Sequence, residues 1–175
     1  SIAWLLNLRG YDLKYTPINF SFALIGKNFT YIFVEDNIYN RKLKTLFSKD
    51  VTFYQIKYIP KILSKLKNKK LNFILDSDTT SKFYYDLIKK NSKKVNLVDD
   101  PIQSLKAIKN KAEILNIKKA HLYDGIALCK FIYWIKNLTS SVTELDLVKK
   151  IDTLRSQNKY FISKSFPTIA GSGSN

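Results

Sequence analysis

Through the first hundred residues, short apolar runs alternate with stretches whose apolar positions recur every three or four residues. Residues 2–6 form the first run and predict a buried strand. Beyond a loop containing Pro17, residues 20–25 and 30–34 flank Gly26-Lys27-Asn28, which predicts a hairpin. Ile38, Leu43, Leu46 and Phe47 are spaced for one face of a helix. Residues 51–56 (VTFYQI) alternate and are rich in strand formers. Pro60, at a first helical position, opens a short helix carrying Ile62, Leu63 and Leu66. Residues 71–75 (LNFIL) predict a central strand, followed by a helix over 81–90 and a strand over 95–98. Strands alternating with helices imply a covered sheet, and the early hairpin makes it mixed. The expected class is α/β.

After Pro101 the pattern changes to helices without strands. Ile114, Ile117, Ala120, Leu128, Phe131, Ile132 and Ile135 trace an apolar stripe along one long helix, interrupted only by Gly125. Residues 138–141 read as a loop. Thr143 with Asp146 three positions on has the form of a capping box and starts a second helix, with Leu147, Val148, Ile151 and Leu154 on one side. Residues 163–175, with Pro167 and the closing GSGSN, predict an extended segment entering a loop. A domain boundary is expected near residues 99–110.

Composition adds a charge of +16, from 30 Lys+Arg against 14 Asp+Glu. Only Arg9, Arg41 and Arg155 are arginine, and Lys, Asn, Ile, Tyr and Phe are all abundant, the pattern of A/T-rich codons. Such a bias raises charge everywhere without selecting a binding face. Nucleic-acid sites favour arginine forks, so composition argues against a nucleic-acid partner. No apolar run approaches the roughly 20 residues of a membrane span, and one cysteine with one histidine makes a poor zinc site. A cytoplasmic protein without a membrane partner is expected.

Candidate chemistry is sparse. Asp76-Ser77-Asp78-Thr79-Thr80 follows an apolar strand and fits the nucleophile loop of haloacid-dehalogenase-like phosphatases, where Asp76 would attack phosphorus and Asp78 serve as acid/base. Asp99-Asp100 resembles the distal metal pair of that family. The spacing is wrong, because that family places several intervening units and a catalytic lysine before the acidic pair, and here only about twenty residues separate the two motifs. The simpler reading has Asp78 or Thr79 capping the next helix. His121 and Asp124 share a helix face, yet no G-x-S-x-G elbow completes a triad, so His121 is expected as a partly buried helix residue. Cys129 is expected to pack near the apolar stripe. Gly171-Ser172-Gly173 lacks the lysine of a phosphate loop.

Three stretches carry a family resemblance. SIAWLLNLRGYD at residues 1–12 resembles the IAWLLNLRGSD segment of long, three-domain Xaa-Pro aminopeptidases, and PINFSFA at 17–23 continues it. AIKNKAEILNIKKA at 107–120 is similar to the A-K-N-x-x-E opening of that family's catalytic domain. SFPTI at 165–169, followed by GSGSN, is similar to the lead into its first active-site strands. Order and spacing agree over the chain, although residues 26–98 match only in pattern.

The resemblance implies a creatinase-N-like middle domain over residues 1–100, lacking its start, and the first helices of a truncated pita-bread α+β domain over 101–175. It implies hydrolysis of N-terminal Xaa-Pro bonds by two divalent metal ions, usually manganese, held by two Asp, one His and two Glu. All five ligands lie past the SFPTI segment, so no catalytic or metal residue carries over. A fragment inactive alone and binding no cofactor is the expectation. Arg9 is the matched residue nominated for substrate, with an ion pair to Asp12 or a domain contact as its plainer role. Implied partners are the remainder of the catalytic domain and proline-containing peptides, with a homodimer left open. The alternatives are a non-catalytic interaction module, a remnant of a decayed gene, and the phosphatase of Asp76 and Asp78.

Overall fold

The computed structural model describes residues 1–35, 46–47 and 50–171. These form two compact units: residues 1–13 with 17–108, and residues 14–16 with 109–175.

The first unit opens with helix α1 (Ile2–Leu5), not with the expected buried strand. The amides of Leu5 and Leu6 donate to the carbonyls of Ser1 and Ile2 at 3.0 Å, and no α1 residue is buried. An apolar run this short has no period to separate strand from helix. Asn7 then takes φ 50°, a left-handed turn that asparagine tolerates, and the helix stops.

Strands β1 (Ser21–Gly26) and β2 (Phe29–Val34) form the expected antiparallel hairpin. Gly26 pairs with Phe29, so the connecting turn is only Lys27-Asn28. Strand β3 (Val51–Gln55) pairs with β2 in parallel, which makes the sheet mixed, in the order β1-β2-β3. The helix expected around Ile38 and Leu43 lies outside the described residues. Helix α2 (Ile59–Leu66) carries Pro60 in its first turn and buries Ile59, Ile62, Leu63 and Leu66. Strand β4 (Asn72–Asp76), helix α3 (Lys82–Asn91), strand β5 (Lys94–Val98) and helix α4 (Pro101–Ala107) complete the unit.

The central strand is β2, not the expected LNFIL segment. Ile32 and Val34 face one buried cluster with Phe53, while Phe33 faces the other with α2 and Phe73. Burial on both faces is what makes β2 continuously apolar. Strand β4 instead pairs only with β5, in parallel, among the described residues. Its Phe73 is buried against α2 while Ile74 is 63% exposed, so β4 is covered on one face. Helices α2 and α3 lie on that covered side, where Tyr84, Leu87 and Ile88 join the cluster.

The second unit is helical. Helix α5 (Lys111–Lys136) runs unbroken through Gly125 and packs against α6 (Glu144–Ser156). Residues 161–171 follow without regular structure.

Candidate functional site

The Leu-Arg-Gly-Tyr-Asp motif at residues 8–12 is used to fold the chain locally. Arg9 Nη1 donates to the carbonyls of Ala3 at 2.9 Å and Leu8 at 3.0 Å, bracing the end of α1. The Asp12 carboxylate accepts from the Phe20 amide at 2.7 Å and from Asn19 Nδ2 at 3.4 Å, not from Arg9. The ion pair considered for Arg9 is therefore not formed among the described residues. Gly10 is buried where a Cβ would stand 2.0 Å from the Asn19 side chain, so any larger residue here requires the Asn19 amide to move.

The DSDTT loop is a self-satisfied turn. The Asp76 carboxylate accepts from the amides of Asp78 at 3.5 Å and Thr79 at 3.1 Å, and from the Thr79 hydroxyl. That hydroxyl, the largest influence, holds the Asp76 carboxyl below the usual carboxylate range. The next helix, α3, is capped by neither Asp78 nor Thr79. Ser81 is its N-cap, accepting from the Tyr84 amide at 3.5 Å, because α3 begins one residue later than the periodicity suggests. Asp100 caps α4 through the Ile102 amide at 2.9 Å and also accepts from the Ser1 hydroxyl.

In the second unit, Asp124 is held by Arg155, not by His121. Two hydrogen bonds form, Arg155 Nε to Oδ1 at 2.6 Å and Nη2 to Oδ2 at 3.2 Å. His121 is exposed, contrary to its expected partial burial, and its neighbours Ala120 and Tyr123, not His121 itself, line the space beside α6. Cys129 is exposed too and packs against no core, because the buried turn of α5 centres on Ala127. Lys164 Nζ reaches Asp152 Oδ2 at 2.6 Å, holding the irregular segment to α6, and Lys150 lies 5.1 Å from the Trp134 ring centroid.

Between α5, α6 and this segment lies a groove of about 1090 Å³ whose walls include Leu128, Phe131, Leu147, Ile151, Phe161 and Phe166. Arg155 and Lys164 in its wall are neutralised in the pairs above, while Lys119 adds a third, exposed cation at its rim. Its chemistry is that of apolar packing. Among the described residues, no three of His, Cys, Asp and Glu come together as a metal site, and no helix is long and apolar enough to cross a membrane.

Asn110 and Glu113 decide what the A-K-N-x-x-E stretch is for. The Asn110 side chain accepts from the Glu113 amide at 2.9 Å and the Glu113 carboxylate accepts from the Asn110 amide at 2.8 Å, a capping box that starts α5. The spacing N-x-x-E was the available signal, and its physical role shows only once the helix start is placed.

The profile of the Creatinase/Prolidase N-terminal domain matches residues 1–113. The chain belongs to that family. A probable Xaa-Pro aminopeptidase P of Ajellomyces dermatitidis is 32% identical over 189 residues, covering 99% of this chain and 31% of that protein. The structure of an X-prolyl aminopeptidase from Caenorhabditis elegans, described as a cytosolic enzyme with a di-nuclear active site, matches with TM-score 0.82 and 27% identity over 97% of this chain and 29% of that one. An Xaa-Pro dipeptidase from Bacillus anthracis shares the fold, with TM-score 0.65 and 14% identity over 89% of this chain and 41% of that one. The chain thus spans about a third of the curated relative it matches. The creatinase-family resemblance and the α/β class with a mixed sheet are both borne out.

Proposed function

We propose that these 175 residues are part of a cytosolic Xaa-Pro aminopeptidase, an enzyme that removes an N-terminal residue preceding proline. The observation that carries this reading is the likeness to the Caenorhabditis elegans enzyme, which extends over 97% of the chain at TM-score 0.82. In this reading residues 1–100 are the middle domain and residues 101–175 the helical opening of the pita-bread metallopeptidase domain. The rest of that domain would pack on the apolar groove walls of α5 and α6.

Two divalent metal ions, manganese in this reading, would supply the activated water and the Lewis acid. Among the described residues, no three of His, Cys, Asp and Glu come together to fit such a centre. Asp76 and Asp100 are committed to local amides, while Asp124 and Asp152 are paired with cations. The ligands are therefore assigned to sequence outside these residues, and the 175-residue chain is expected to be inactive alone.

Arg9 remains the proposed substrate contact. Its two structural bonds use Nη1 only, and the guanidinium is exposed, so its other nitrogens can reach a peptide carbonyl or terminal carboxylate. In a complete enzyme carrying this segment, Arg9→Lys should raise KM with kcat retained. An unchanged KM with lowered thermal stability would leave only the structural role.

The main test is calorimetric titration of the 175-residue chain with Mn²⁺, alongside an Xaa-Pro peptide assay. Neither binding nor cleavage is expected. Micromolar Mn²⁺ binding lost in the double substitution Asp76→Asn, Asp78→Asn would overturn the assignment of the metal centre.

A further inference from the structure

Eight of the twelve residues at 65–70 and 89–94 are lysine, and none is acidic. The overall lysine content would place about two in twelve positions, so codon bias does not account for this density. The fold then brings the two clusters together. Residues 65–70 end α2 and lead into β4, while residues 89–94 end α3 and lead into β5. Asn72 pairs with Lys94, and the Lys93 amide donates to the Leu71 carbonyl at 2.8 Å. Because β4 and β5 are parallel, both clusters lie side by side at one edge. All eight lysines are exposed, and among the described residues none pairs with a carboxylate. Asp76, Asp78, Asp99 and Asp100 sit at or beyond the opposite ends of the same strands.

Helix dipoles explain part of this. Lys65, Lys89 and Lys90 occupy last helical turns, where cations are favoured. Lys67 and Lys69 lie in a short 3-10 turn that continues α2, and Lys70, Lys93 and Lys94 lie past the helices. Lys70 stands at φ 48°, a left-handed position where glycine or asparagine is the less costly choice. Charge is kept there against backbone preference.

We propose that this lysine edge binds the phosphate backbone of nucleic acid without reading sequence. The bias of lysine over arginine, which from composition argued against such a partner, fits this mode. Base readout needs arginine forks, whereas backbone binding needs closely set positive charge and gains from counterion release. The exposed amides of Asn68 and Asn72 add donors of the kind that contact phosphate and sugar. A membrane surface fits less well, because stable anchoring takes an apolar insertion beside the charge. The one large apolar residue in the two clusters, Leu66, is buried. An acidic peptide fits less well because the clusters hold neither an arginine nor an apolar anchor pocket.

The test is fluorescence anisotropy of the 175-residue chain with a labelled oligouridylate across a salt series. Two variants with the same charge change are compared. One removes the edge (Lys69→Gln, Lys70→Asn, Lys93→Gln, Lys94→Gln), and the other removes four exposed lysines of α5 (Lys111→Gln, Lys118→Gln, Lys119→Gln, Lys130→Gln). The edge variant should flatten the log–log salt slope by about 0.7 for each single-strand phosphate it no longer neutralises, up to about three in all. The α5 variant should leave the slope nearly unchanged. If the edge variant does not fold, the pairs at 69–70 and 93–94 are made separately, each with about half the effect. Equal weakening by edge and α5 variants would reduce the effect to net charge and overturn the proposal. Tighter binding to polyglutamate or to phosphatidylserine vesicles than to the RNA would also overturn it. The outcome is independent of peptidase activity.

Discussion

Arg155 grips Asp124 across 31 residues of sequence, with Nε and Nη2 on the two carboxylate oxygens at 2.6 and 3.2 Å, and so fastens α6 to α5. The pair is partly exposed, which places its worth toward the upper end of surface ion pairs, about 1 kcal/mol. A double-mutant cycle of Arg155→Ala and Asp124→Ala by urea unfolding should return a coupling of that size. Arg155→Lys should not restore it, because an ammonium cannot make the fork. Additive single effects would show that the helices are held by apolar packing alone.

Gly10→Ala should destabilise the first unit by about 1 kcal/mol, because the new methyl displaces the Asn19 amide from its place beside Asp12. The companion change Asn19→Ala should recover part of the loss. Thermal melts of the single and double variants measure both.

The two capping boxes predict parallel losses. Asn110→Ala should cost about 1 kcal/mol, read as reduced helicity and a lower urea midpoint. Thr143→Ala should do the same for α6. The Thr143 hydroxyl also holds the Asp146 carboxyl below its ordinary value of 3.8. A carboxyl depressed by folding stabilises the native state above its unfolded pKa, and that contribution fades as pH falls through the lower folded value. Helicity of the wild-type chain should therefore show an acid step below about pH 4 that Thr143→Ala weakens. An unchanged acid limb would contradict the capping bond.

Cys129 is exposed, so a thiol reagent should label it in the native chain at close to the rate of the unfolded chain. Labelling that waits for denaturant would restore the packing role expected from the apolar stripe.

Helix α5 leaves much of its apolar surface uncovered, with Leu122 62% and Ile132 50% exposed. Such surface favours association once contiguous patches pass a few hundred Å². The 175-residue chain should scatter more light and bind more hydrophobic dye than a chain ending at Ile108. Equal monomer content and equal dye binding would show that the helical unit is self-sufficient.

What the sequence by itself determined is local in origin. The hairpin at Lys27-Asn28, the proline-started α2, the capped start of α6 and the helical character after Pro101 follow from turn chemistry, caps and a 3.6-residue period, all set by neighbours in the chain. The family was legible for the same reason, since its motifs are contiguous runs such as LNLRG and KNxxE. Tertiary structure decided the rest. Residues 2–5 are a helix, with Arg9 reaching back to the Ala3 carbonyl, an outcome that so short an apolar run, holding no period, does not signal. Strand β2 took the centre because clusters on both faces close over it, a matter of which distant segments meet. Asp124 chose Arg155 over His121 because α6 folds back along α5. The lysine clusters at 65–70 and 89–94 became one edge because β4 and β5 pair in parallel, which no spacing in the sequence states.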